Sequence, residues 1–91
     1  MNREDILRHA LDLTGAGGER NSDYGDPVVN HMHIAEIANA ILGRDLSARE
    51  IALILTSVKL ARLAKSPTHI DSHADACADL GITFECATAG K

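Results

Sequence analysis

Residues 47–67 have clear helix boundaries and no polar face, which constrains the fold more than any other part of the sequence. Ser47 and Glu50 have the spacing of a capping box, in which each side chain binds the other residue's backbone amide. Ser66-Pro67 ends the segment, because the residue before a proline avoids the helical conformation. In between, apolar residues at about 100° per residue point in nearly every direction. We therefore predict a helix that continues to about Lys65 and lies at the centre of the fold.

Two more helices precede this one. Asn2 is a good N-cap for a first helix that stops at Gly15. Asp26 followed by Pro27 is typical of a cap and a first helical residue, and it opens a second helix that runs to Gly43. The polar stretch 15–26 between them contains four of the seven glycines and is predicted to be the one long loop.

A fourth helix is expected after the proline. It begins near Asp71 or Ser72, either of which can cap, and reaches Leu80 just before Gly81. Residues 82–86 either extend this helix or form a short strand. The tail from about residue 87 is expected to fray.

The amino-acid composition agrees with packed helices. The 91-residue chain is 45% hydrophobic but only 2% aromatic, so its core must consist of Leu, Ile, Val and Ala. Such residues suit helices better than sheets. We predict one all-α domain over residues 1–91, a compact bundle of four helices with a long loop after the first. Three helices barely suffice to surround an apolar central one, which indicates a helix-mediated homo-oligomer.

Charge and cysteine content argue against several kinds of function. The net charge is -4 and no run of Lys or Arg is long, so binding to duplex nucleic acid is not expected. The longest mainly apolar stretch, residues 51–64, contains Lys59 and Arg62 and is too short to span a membrane. Cys77 and Cys86 lack a metal-ligand spacing, so we expect reduced thiols in a cytoplasmic protein.

Lys59 and Arg62 are one turn apart on the apolar helix. Cations in a partly buried position need anionic partners unless their side chains extend to solvent. The partners are either carboxylates of the protein, which would make a structural ion pair, or phosphates of a ligand. The two cations are therefore a candidate phosphate clamp.

The last predicted helix offers matching acids. Asp71, Asp75 and Asp79 are four residues apart, so they share one face of a helix and repel one another unless a cation lies opposite. Lys59 and Arg62 are candidates for that cation. Magnesium is the alternative, because carboxylates with water and phosphate oxygens form a usual magnesium shell. A structural explanation also holds, because helix starts favour aspartate.

The loop contains the most varied side chains. Tyr24 is the only plausible aromatic platform for a nucleobase or a peptide, and it follows Arg20. Gly25 suits a positive φ angle next to the capping Asp26. A loop of this length is either a lid over a ligand or a packed turn.

The histidines do not form a convincing metal site. His69, Asp71, His73 and Asp75 alternate in sequence, but alternate positions diverge on a helix and no four-ligand zinc spacing is present. We interpret these histidines, with His31 and His33, as polar surface or interface residues. No Ser or Cys has a convincing neighbouring base and there is no glycine-rich phosphate loop, so no catalytic residue is predicted.

Many of these residues form one set that extends over most of the chain. The set is Arg20, Tyr24-Gly25-Asp26-Pro27, Asn30, Ile34-Ala35, Lys59-Leu60-Ala61-Arg62, His69, Asp71-Ser72 and Asp75. Over roughly residues 5–80 it resembles a family of small, uncharacterised helical proteins encoded by phages and prophages. Members of that family tend to have a Gly-Tyr step after the last Asp, where this chain has Ala76-Cys77. The resemblance implies a phage-derived protein in the cytoplasm of a bacterial host.

More remotely, the helical layout and the acidic last helix are similar to the all-α nucleotide pyrophosphohydrolases of the MazG type. Those enzymes hold magnesium with Glu-x-x-Glu on one helix and Glu-x-x-Asp on another. This chain has Glu36 alone in its second helix, and Asp71 and Asp75 are four residues apart rather than three. The resemblance implies binding of a phosphorylated ligand more than it implies that mechanism of hydrolysis.

Two functional hypotheses follow. In the first, the protein binds a nucleotide or another phosphorylated small molecule, with or without magnesium-assisted hydrolysis. Its ligand-binding residues would be Arg20, Tyr24, Asp26, Asn30, Lys59 and Arg62, and its magnesium ligands would be Asp71 and Asp75. In the second, it is a non-enzymatic phage protein that inhibits a host defence protein through an acidic helical surface.

Overall fold

The computed structural model describes residues 1–14 and 25–89, which form four α-helices that pack against one another. The helices are α1 (Arg3–Thr14), α2 (Pro27–Leu42), α3 (Ala48–Lys65) and α4 (Ile70–Thr88). No strand occurs in these two ranges, and the all-α prediction is confirmed. None of the described helices is long and apolar enough to cross a membrane.

Side-chain caps confirm the predicted starts of α1 and α2. The Asn2 amide donates to Asp5 Oδ2 at 2.9 Å, and the Asp5 amide donates to Asn2 Oδ1 at 3.0 Å. Asp26 Oδ1 accepts the Val28 amide at 2.9 Å. Each cap satisfies backbone amides that have no partner within the helix, which explains why these helices begin where the sequence predicted.

The start of α3 is also confirmed. The Glu50 amide donates to Ser47 Oγ at 3.1 Å and the Ser47 amide donates to Glu50 Oε1 at 3.0 Å, as in a capping box. The backbone amide of Ser47, and then its hydroxyl, stabilise the ionised carboxylate and hold the pKa of Glu50 below its ordinary value of 4.5. The helix ends at Lys65, just before Ser66-Pro67.

The start predicted for the last helix is wrong. The cap is His69 rather than Asp71 or Ser72, and α4 begins at Ile70. His69 Nδ1 accepts the Ser72 amide at 3.3 Å and lies 2.7 Å from Ser72 Oγ. A histidine nitrogen here takes the role that an aspartate or serine oxygen usually has. Histidine is not among the residues preferred at an N-cap, so the sequence did not indicate this start.

The last helix also continues beyond Gly81. Of the two possibilities for residues 82–86 the structure has the helical one, and α4 reaches Thr88. Ile82 is buried one residue after the glycine, so its packing offsets the low helix propensity of Gly81. Thr83 Oγ1 donates to Asp79 O at 2.8 Å within the same segment.

The central helix is α4, not α3 as predicted. It packs against all three other helices, whereas α1 packs only against α4 among the described helices. Its buried residues are small except for Asp75 and Ile82, and include Ser72, Ala74, Ala76 and Ala78. Small side chains let helix axes approach closely, which favours the helix that carries them as the common partner. Hydrophobicity around α3 did not predict burial, because Leu53, Ile54 and Leu60 remain exposed.

We expect Gly81→Ala to raise the free energy of unfolding by about 1 kcal/mol, since a helical glycine loses more backbone entropy than alanine on folding. No atom lies within 4 Å of the Cβ that the substitution would add. The matched control is Gly43→Ala at the end of α2, where the space is equally open but φ is +66°. This variant should be less stable than the wild type. Urea unfolding at one protein concentration measures both, and equal effects would contradict the helical role of Gly81.

We expect the capping carboxylate to make stability depend on pH. Because the folded-state pKa of Glu50 is lowered, its contribution is complete above the unfolded-state pKa and is lost as pH falls through the folded-state value. The difference in melting temperature between wild type and Glu50→Gln should therefore shrink as the pH falls from about 6 to about 3.

The control for this pH effect removes the hydroxyl and retains the carboxylate. In a Ser47→Ala background, the pH dependence of the Glu50→Gln effect should be smaller, because one of the groups that lower the pKa is absent. A pH dependence of the same size in both backgrounds would contradict the assignment.

Candidate functional site

A partly buried ion pair joins α3 to α4. Lys59 Nζ lies 3.2 Å from Asp75 Oδ2, with the two side chains 19% and 12% exposed. Of the contacts that the sequence proposed between the cations of one helix and the aspartates of the other, the structure forms this one. At this degree of burial the two opposite charges offset part of each other's lost hydration.

Beside this pair lies a pocket of about 340 Å³ between the helices, which we call the interhelical pocket. Leu55 and Val58 of α3 and Ile82 of α4 form an apolar wall. A cavity of this volume is at the lower end of the range for small-molecule sites, and an apolar wall with few polar groups is their usual composition.

Five polar residues line the same pocket: Thr14, Asn30, His31, Lys59 and Asp79. Asn30 and Lys59 come from α2 and α3 and were both predicted as ligand-binding residues, and the structure brings them together. Asp79 was noted in the sequence only as part of an acidic series. The amide, the ammonium and the carboxylate can together donate and accept hydrogen bonds to one polar ligand.

His31 is the pocket residue that sequence reasoning missed, since it was interpreted as a surface or interface residue. It is buried, and its Nδ1 lies 2.6 Å from the carbonyl oxygen of Pro27. A carbonyl only accepts, so Nδ1 carries the proton and Nε2 of a neutral ring is an acceptor. The signal in the sequence is that His31 precedes Ala35 by four residues, which places the two on one face of a helix. The structure buries both residues.

Two of the lining residues come from the end of α1 and from the position before the cap of α2. They are Thr14 and Gly25. Gly25 has a φ of +75°, as its position before the cap predicted. Arg20 and Tyr24 lie outside the described residues.

Arg62 is not part of this pocket. With Lys65, Ser66 and His69 it lines a second, separate surface pocket of about 350 Å³ at the turn between α3 and α4. The two cations of the predicted phosphate clamp are thus divided between two pockets. Asp26 does not line either pocket, and its carboxylate caps α2.

The two predicted magnesium ligands have different neighbours. Asp75 faces Lys59, whereas Asp71 is 75% exposed with its Oδ1 3.5 Å from His9 Nε2 of α1. Within the described ranges, no group of three or more His, Cys, Asp or Glu side chains could hold a metal ion. The geometry therefore gives no support to a magnesium site made from Asp71 and Asp75 together.

Comparison with known proteins finds a family and one phage relative. A family model described as "Domain of unknown function (DUF6378)" matches residues 5–87. The "Gene 55 protein" of Mycobacterium phage D29 is 35% identical over 72 residues, which cover 79% of this chain and 46% of that protein. The chain thus matches about half the length of this curated relative. No solved structure matches the chain.

We expect Lys59→Met to lower the free energy of unfolding by about 2 kcal/mol, because Asp75 loses the ammonium while most of its side chain stays buried. The double variant Lys59→Met/Asp75→Leu should recover most of this loss. Arg8→Met is the control, since it breaks a well-exposed Glu4–Arg8 pair at 4.0 Å and should change stability by less than about 0.5 kcal/mol. Urea unfolding of the wild type and the three variants measures these differences in the free energy of unfolding. A Lys59→Met effect as small as that of Arg8→Met would show that the pair is not stabilising.

Proposed function

Because the chain belongs to the DUF6378 family, whose description names no activity, we propose a function from its own pocket: it binds a nucleotide or another phosphorylated small molecule. The observation that carries the proposal is the interhelical pocket, where Asn30 and Lys59 meet beside an apolar wall. The relative from a mycobacteriophage supports a phage origin and says nothing of a ligand.

The proposed ligand places a nucleobase against the apolar wall. Leu55, Val58 and Ile82 offer a surface for a flat ring, and the Asn30 amide can both donate to and accept from its polar edge. With Nδ1 bonded to the Pro27 carbonyl oxygen, Nε2 is the ring nitrogen of His31 that is left to contact a hydroxyl or an amino group of the ligand. Arg20 and Tyr24 stay candidates for the same ligand on the sequence pattern alone.

Lys59 is the proposed phosphate contact. An ammonium has three donor hydrogens, and the bond to Asp75 uses one of them, so others remain for phosphate oxygens. The pairing with Asp75 offsets part of the positive charge, which limits the affinity for a phosphate alone. Arg62 is assigned no role in this pocket, because it lines the other one.

Magnesium is proposed to accompany the ligand, with a different carboxylate from those the sequence suggested. Asp79 lines the pocket and offers a carboxylate there. Magnesium is usually bound by one or two carboxylates together with phosphate oxygens and waters, so Asp79 and a bound phosphate would share the ion. If hydrolysis follows binding, the metal would supply the neutralisation of charge on the phosphate.

We expect calorimetric titration with a panel of nucleoside mono-, di- and triphosphates to give binding heat that increases with magnesium. Asn30→Ala and the double variant Lys59→Met/Asp75→Leu should each weaken binding by about tenfold or more. Arg49→Met, which removes an exposed cation of α3 outside both pockets, should bind as the wild type does. A phosphate-release assay on the same mixtures reports hydrolysis.

Circular dichroism of each variant distinguishes a loss of ligand binding from a loss of the folded structure. The proposal is refuted if no panel member gives heat with or without magnesium, or if the folded variants bind as tightly as the wild type. In that event the second candidate stands, an accessory protein that inhibits a host protein. It is favoured by the many large apolar side chains that the described helices leave exposed.

A further inference from the structure

The described core is built mostly from small side chains, while most of the large ones lie outside. Six of its eight buried hydrophobic residues are alanines. Among the same described residues, fifteen large hydrophobic side chains are at least 44% exposed. Single exposed apolar residues are normal in proteins, but a contiguous set marks an interface.

On α3 the exposed residues form a continuous surface, which we call the α3 strip. It consists of Leu53, Ile54, Ser57, Leu60, Ala61 and Ala64, all exposed. At about 100° per residue they occupy an arc of about 120°. No charged residue from 51 to 64 falls in this arc. Leu53, Ile54 and Leu60 are 44%, 49% and 55% exposed, so substantial apolar surface is open to solvent.

We propose that the α3 strip binds a second copy of this chain, with the two α3 helices antiparallel about a two-fold axis at Ser57. In this register, positions equally far from Ser57 in opposite directions face each other. Leu53 then faces the small Ala61 of the second copy, and Ile54 faces its Leu60. Ser57 itself is small, so the helices can approach closely at the axis.

Burial of the central serine leaves no polar group without a partner. Its hydroxyl donates to the carbonyl oxygen of Ile54 within α3, so it does not depend on water. A hydroxyl with a partner in its own helix enters an apolar interface without the usual penalty for an unmade hydrogen bond. Ser57 is therefore compatible with the centre of such a contact.

The charges at the two ends of the strip select an antiparallel copy of the chain as the partner. Along the helix, Glu50 precedes the strip and lies within its arc. Lys65 follows the strip and lies just outside the arc. An antiparallel pair brings each Glu50 near the Lys65 of the other chain, whereas a parallel pair would bring like charges together. The strip is thus complementary to itself in charge as well as in side-chain size.

This contact leaves the interhelical pocket open. Leu55, Val58 and Lys59, which line the pocket, lie outside the arc of the strip, and Lys59 is on the opposite side of α3. The dimer and the ligand therefore do not compete, and the dimer can be tested without any ligand.

A cysteine placed on the axis tests the register. Under mild oxidation we expect Ser57→Cys to form a covalent dimer in most chains, because the two copies of residue 57 meet. Ser66→Cys is the matched control: in the same dimer the two copies of residue 66 would be about 27 Å apart, too far for a disulfide. Wild-type protein shows the background from the free Cys77 and Cys86.

Sedimentation equilibrium tests the contact without a cross-link. Wild-type protein should have the mass of a dimer, and Leu60→Lys should raise the dissociation constant roughly 100-fold while keeping a helical circular dichroism spectrum. A wild-type protein that stays monomeric overturns the proposal and makes the strip a surface for a different protein. A dimer in which Ser57→Cys cross-links no better than Ser66→Cys also overturns it, since another face then forms the contact.

Discussion

The rest of the structure depends on the small side chains along the buried face of α4. Ser72 and Ala74 have no exposed surface, and Ala76 and Ala78 have little. Because nothing bulky separates the helices, α1 and α3 can lie close to α4 and α2 can reach it as well. The Ser72 hydroxyl lies beside the His69 ring that caps the helix, so even the polar member of this face has a partner. A larger residue in this face would move the helices apart.

Close packing of this kind has two consequences for function. It brings the backbone of α3 near enough to α4 for the Lys59 side chain to reach Asp75. It also leaves a pocket where α2 meets α3 and the second half of α4. The same packing leaves most of the large aliphatic side chains outside, since alanines fill most of the buried contacts between the described helices. The pocket and the exposed apolar surface thus have one physical origin in the choice of small core residues.

Opposite sides of α3 serve these two features. One side carries Lys59 and the apolar wall of the pocket, and the other carries the uncharged strip centred on Ser57. A helix with two such sides has almost no polar face, which is the pattern that made α3 conspicuous in the sequence. The sequence pattern predicts a central helix that the rest of one chain barely surrounds, and hence a helix-mediated oligomer. It is also the pattern of a helix that contacts its own chain on one side and another molecule on the other.

The sequence by itself determined the fold class and most helix boundaries, because capping residues, Pro27, Gly43 and Ser66-Pro67 act through bonds only a few residues apart. It also brought Asn30, Lys59 and Asp75 into the candidate set. Only the tertiary structure decided that α4 is central and that Asp75 rather than Asp71 faces Lys59. It also decided that His31 lines the interhelical pocket, whereas Arg62 lines the other pocket. Those outcomes depend on how each helix is rotated about its axis against its neighbours. A rotation of a fraction of a turn moves a side chain from pocket to solvent, and local sequence signals do not fix it.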